Sequence, residues 1–96
     1  MKTIYKYRIE YGVTHLTLPK GAIVRHFDKQ NRDNSEDQKY DLLWIWAEID
    51  KDNPPEDRHF ALYGTGHQIS DSNAIYIGSV LTEDEFFVWH LYEITA

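Results

Sequence analysis

Tyr40-Asp41-Leu42-Leu43-Trp44-Ile45-Trp46-Ala47-Glu48-Ile49 alternates with a period of two and carries apolar side chains on both of its faces. Leu43, Ile45, Ala47 and Ile49 point one way, and Leu42, Trp44 and Trp46 the other. A period of two marks a strand, and a strand apolar on both sides is either central in its sheet or covered by a neighbouring subunit. This segment is the expected core strand.

On its C-terminal side, Asp50-Lys51-Asp52-Asn53-Pro54-Pro55-Glu56-Asp57 should break the strand, because consecutive prolines supply no N–H to a ladder. Residues 58–63 restart an extended pattern. Further strands are expected over 74–80 and 86–94, with Ser70-Asp71-Ser72-Asn73 as a loop. Thr82-Glu83-Asp84-Glu85 reads as a turn or as one helical turn capped by Thr82. On the N-terminal side, residues 4–10 alternate Tyr5, Tyr7 and Ile9 with Lys6, Arg8 and Glu10, and residues 13–18 are rich in β-branched side chains. Tyr11-Gly12 between them predicts a hairpin over 4–18. After the Pro19-Lys20-Gly21 turn, residues 22–27 form another strand. Residues 28–39 carry no apolar side chain and read as a mobile polar loop. The expected fold is therefore all-β: a single domain over residues 1–96 with about seven short antiparallel strands, in a small sandwich or barrel.

Composition narrows the function classes. Ninety-six residues with 42% hydrophobic and 15% aromatic content suffice for one core, and any ligand site must lie on a surface, in a barrel mouth or between subunits. With no cysteine there is no disulfide framework, thiolate nucleophile or sulfur-bound zinc, which suits a cytoplasmic location. No apolar run approaches the ~20 residues of a membrane span. The net charge of −6 is uneven: residues 1–27 sum to +4, residues 28–57 to −6 and residues 58–96 to −4. That total disfavours nucleic acid as a partner, although the N-terminal segment leaves room for a local basic patch.

The candidate site is Tyr63-Gly64-Thr65-Gly66-His67, where two glycines and a histidine interrupt the chain between strands. Glycine permits positive φ or close approach of a ligand to the main chain, and imidazole donates or accepts. Gly64, Thr65 and Gly66 resemble a shortened phosphate cradle, without the lysine of a P-loop or the full dinucleotide fingerprint. Simple turn chemistry accounts for the same glycines. His67 and His90 are expected near each other across a ladder, with Trp89 beside them as a stacking surface. Arg58 and Arg8 are the candidate phosphate clamps; otherwise they are strand-face charges whose stems cover apolar surface. No His-x-His or His-Glu-x-x-His spacing occurs, so neither a metal centre nor a cofactor is expected. Ser79 or Thr65 beside a histidine offers a nucleophile, but without an identified oxyanion hole.

Leu18-Pro19-Lys20-Gly21-Ala22, Leu43-Trp44-Ile45-Trp46-Ala47, Tyr63-Gly64-Thr65-Gly66-His67, Tyr76-Ile77-Gly78-Ser79 and Phe87-Val88-Trp89-His90-Leu91-Tyr92-Glu93 occur in this order. Together they resemble a small uncharacterised domain family common in bacteriophage and bacterial genomes. The resemblance covers nearly the whole chain and implies a viral protein acting in the host cytoplasm, with no catalytic residues to carry over. By analogy with small phage proteins, the expected function is counter-defence by non-catalytic capture of a phosphorylated or nucleotide-like molecule. The alternatives are an inhibitor docking on a host protein and a small hydrolase using His67 and His90. A homo-oligomer suits each, because a short chain forms a deep pocket most easily by sharing it with a copy of itself.

Overall fold

A computed structural model describes residues 1–30, 42–82 and 87–95. Among the described residues there are seven strands: β1 (Lys2–Ile9), β2 (Val13–Pro19), β3 (Ile23–Lys29), β4 (Leu43–Asp50), β5 (Pro55–Gly64), β6 (Ala74–Leu81) and β7 (Val88–Ile94). They form a three-stranded sheet ordered β1-β4-β3 and a four-stranded sheet ordered β2-β5-β7-β6, antiparallel throughout. The all-β expectation holds, and the architecture is a sandwich. No helix among the described residues is long and apolar enough to cross a membrane.

Strand β4 is central in its sheet, as its two apolar faces require. Leu43, Ile45, Ala47 and Ile49 are buried between the sheets, whereas Trp44 and Trp46 remain half-buried on the outside. Facing β4 across the core are Leu18 from β2, Phe60 and Leu62 from β5, Val80 from β6 and Leu91 from β7. Burial of such side chains contributes roughly 1.5–3 kcal/mol each.

Three expectations need correction. Residues 4–18 are not a hairpin: β1 pairs with β4 and β2 with β5, so the turn at Gly12 (φ 101°) carries the chain from one sheet to the other. Thr14 holds that crossing, its hydroxyl accepting the Glu10 N–H at 2.8 Å. Strand β5 starts earlier than expected, at Pro55, opposite Pro19. A proline is tolerated there because the first residue of a strand can forgo its N–H. Strand β3 continues through Asp28 and Lys29, opposite Trp44 and Leu43, into what reads as polar loop. The remainder of that loop, residues 31–39, and the expected helical turn over 83–85 lie outside the described residues.

The four-stranded sheet positions the site. Odd-numbered residues of β2 and β5 and even-numbered residues of β7 point outward, away from the core. On β6 a bulge between Tyr76 and Gly78 shifts the alternation, so that Tyr76 and Ser79 share the outer face.

Candidate functional site

Beyond Gly64 the chain reverses in a four-residue turn closed by His67 N–H donating to Gly64 O at 3.0 Å. Gly66 has φ 90°, and this third position of a type II turn requires positive φ. Gly64 is glycine for a different reason. A Cβ there would lie 2.9 Å from His67 Cε1, because the imidazole folds back over the Gly64 backbone. The Gly64 N–H donates to His67 Nδ1 at 3.0 Å, which leaves the neutral ring's proton on Nε2.

Trp89 and His90 are successive residues of β7 and so face opposite ways. His67 goes with Trp89, their ring centroids 6.1 Å apart edge to face, and Trp89 in turn meets Tyr11 at 5.4 Å. The turn's contact with His90 is made by Thr65, whose Oγ1 lies 3.0 Å from His90 Nε2. On the other side of that ring, Ser79 Oγ is 2.6 Å from Nδ1, and Tyr76 Oη is 2.7 Å from Ser79 Oγ. Four side chains from β5's end, β7 and β6 thus form one hydrogen-bonded chain on the outer face. One row below, Tyr92 packs edge to face with Tyr63 at 5.5 Å and with Tyr76 at 5.4 Å.

Farther along the same face, His15 and His59 stack with centroids 4.9 Å apart. His15 Nε2 lies 3.1 Å from Asp57 Oδ1, and the Thr17 hydroxyl donates to the same oxygen at 3.1 Å. These contacts, the Thr17 hydrogen bond foremost, hold the Asp57 carboxyl below its ordinary range. Asp57 is the single formal charge among the outward positions of this sheet, so the hydroxyl and imidazole groups around His90 have no carboxylate beside them there. Among the described residues, no three His, Asp or Glu side chains gather to hold a metal ion.

Of the residues singled out from sequence, Gly64, Thr65, Gly66, His67, Trp89 and His90 come together at this end of the sandwich. Arg58 and Arg8 do not join them. Arg58 points inward, its Nε and Nη2 donating to Glu93 Oε2 and Oε1 at 2.6 and 2.7 Å and its Nη1 to the Ala22 carbonyl. The Glu93 bond keeps the guanidinium charged, raising its pKa further. Arg8 lies on the three-stranded sheet, 5.7 Å from the Trp44 ring centroid and 3.8 Å from Glu10. Tyr76 and Tyr92 are the members that sequence reading missed. The signal available for Tyr76 was Gly78, since a glycine inside a strand often marks a bulge.

A family model described as a domain of unknown function, DUF7352, matches residues 1–96. The chain belongs to that family. No curated protein and no solved structure matches this DUF7352 domain.

Proposed function

We propose that this DUF7352 domain is a binding protein that holds a small phosphorylated or nucleotide-like molecule without transforming it. The observation that carries this reading is the chain Thr65–His90–Ser79–Tyr76 beside the tyrosine row, on a sheet face whose single formal charge is Asp57. Hydroxyl and imidazole donors suit phosphate or ribose oxygens, and the edges and faces of Tyr92 and Tyr76 suit a nucleobase. The resemblance to phage proteins extends the reading to counter-defence: a viral protein in the host cytoplasm that withdraws a nucleotide signal from circulation.

A panel of AMP, cyclic nucleotides, ADP-ribose and inorganic phosphate, followed by thermal shift and calorimetry, tests the reading. At least one nucleotide should raise the melting temperature, and His90→Gln with Tyr92→Ala should abolish the shift. No response to any of them would sink it.

A second reading rests on Ser79 Oγ lying 2.6 Å from His90 Nδ1, the contact a general base makes with a serine nucleophile. A hydrolase predicts product from activated esters or phosphodiesters, lost in Ser79→Ala. Recovery of unchanged nucleotide from the protein after denaturation would count against it.

A further inference from the structure

The two outer faces of the sandwich differ in a way that solvent exposure alone does not explain. On the three-stranded sheet, Lys2, Lys6, Arg8, Glu48, Asp50 and Asp28 all occupy positions opposite to the buried set, as expected of a solvated face. The four-stranded sheet is larger, yet its outward positions carry Asp57 alone, at the start of β5, in a chain that is 27% charged. Across its middle run Tyr63, Tyr92 and Tyr76, with Val13 71% exposed and Leu81 45% exposed toward its margins. Depletion of charge with enrichment in tyrosine is the composition of a protein interface, not of a wetted sheet.

We propose that two copies of this chain pack face to face through the outer surface of β2-β5-β7-β6. Three features point to a second copy rather than a different partner. An isologous contact needs a patch that maps onto itself, and the order β2-β5-β7-β6 sets two strands on either side of a line between β5 and β7, with Tyr63 and Tyr92 facing outward beside that line. A two-fold axis running along the strands between β5 and β7 lays β2 of each copy over β6 of the other and β5 over β7, so that all four strands meet. Among the described residues the outward positions of this sheet carry Asp57 as their one formal charge, at the start of β5, so the centres of two such faces meet without like-charge repulsion. The molecule is also a plate, 39 × 35 × 17 Å, whose broad side suits sheet-on-sheet packing. Four strands about 4.8 Å apart and up to 10 residues long present on the order of 600 Å² in projection, and more as accessible surface. That approaches the ~800 Å² each partner contributes to a standard interface.

The inference goes beyond the ligand reading and stands without it. His90 lies two residues from Tyr92 along β7, so the pairing would enclose the hydrogen-bonded chain between the copies.

Sedimentation velocity of the full chain at micromolar and submillimolar concentrations tests the proposal. The expected mass is that of two chains. The double variant Val13→Glu, His59→Glu places carboxylates on the β2–β5 half of the face, away from His90, and should weaken the dimer by roughly a hundredfold or more. Ile4→Glu, a change at an exposed position of the opposite face (54% exposed), should leave the mass unchanged. Circular dichroism confirms that each variant is folded. A wild-type monomer at the highest concentration, or a double variant that stays dimeric, overturns the proposal; a monomer that pairs with some other protein through this face overturns it as well. Titrating the wild-type chain with the nucleotide panel separates the two ideas: a wild-type monomer that binds a nucleotide upholds the ligand reading and overturns the dimer, whereas a dimer that binds none does the reverse.

Discussion

The His67 ring occupies the space that a side chain at Gly64 would need, with Cε1 2.9 Å from the position of a Cβ and Nδ1 accepting the Gly64 N–H at 3.0 Å. Alanine at 64 should expel the ring and break its edge contact with Trp89. Overpacking of ~1–3 kcal/mol and a lost hydrogen bond of ~1 kcal/mol put the expected cost of Gly64→Ala at about 2 kcal/mol. Urea denaturation measures it. Gly64 is not among the glycines with positive φ, so the cost arises from the ring and not from the backbone. His67→Ala in the same chain should therefore recover most of the loss; a purely additive double variant would contradict this account.

The position of this turn was legible from its glycines, but the direction of its side chains was not. Whether Thr65 or His67 meets His90 depends on which side of β5 each residue leaves the strand, and nothing in Gly-Thr-Gly-His specifies that. The bulge on β6 is the other hidden step. Without it Tyr76 and Ser79, three residues apart, would face opposite sides and the hydrogen-bonded chain could not form.

Arg58 and Glu93 test the reassignment of a candidate clamp to a structural role. Their side chains are 14% and 19% exposed, and the guanidinium also serves the Ala22 carbonyl. Arg58→Ala leaves a carboxylate and a carbonyl partly buried and unpaired, at an expected cost of about 2–4 kcal/mol. Removing Glu93 as well should cost less than the sum of the single changes. A direct ligand-binding role would instead appear as lost nucleotide affinity with the unfolding midpoint unchanged.

Lys6 offers a contrast of scale. Its ammonium lies 4.0 Å from the Trp44 ring centroid and 5.5 Å from that of Trp46, on the exposed outer face. Exposed cation–π contacts are worth ~0.5–1 kcal/mol, so Lys6→Ala should lower stability by no more than about 1 kcal/mol while shifting tryptophan emission. A loss as large as that of Arg58→Ala would mean that the face bears on the fold more than its exposure suggests.

The core strand was legible because Leu43, Ile45, Ala47 and Ile49 obey a strict alternation that burial enforces. Strand partnership was not. Alternation in β1 and β2 tells which side chains are buried, but not which strand lies alongside. A glycine turn between two strands serves a crossing between sheets as well as it serves a hairpin. The deciding contacts, β1 with β4 and β2 with β5, are remote in sequence.

Asp57 predicts a pH dependence with a definite sign. The Thr17 hydroxyl first, and His15 after it, stabilise its carboxylate in the folded chain, so the folded pKa lies below the unfolded one. As pH falls, the unfolded chain takes up its proton first. The contribution to stability is complete above the ordinary carboxylate value of ~3.9 and is lost as pH falls through the lower, folded value. Asp50 acts in the same sense, chiefly through the Asp52 N–H that donates to its Oδ1 at 3.1 Å. Asp57→Asn should flatten the fall of urea midpoint with pH in the acid range, and Asp57→Asn with Asp50→Asn should flatten it further. An acid limb as steep as that of the parent chain would show that neither carboxylate's contacts persist in solution.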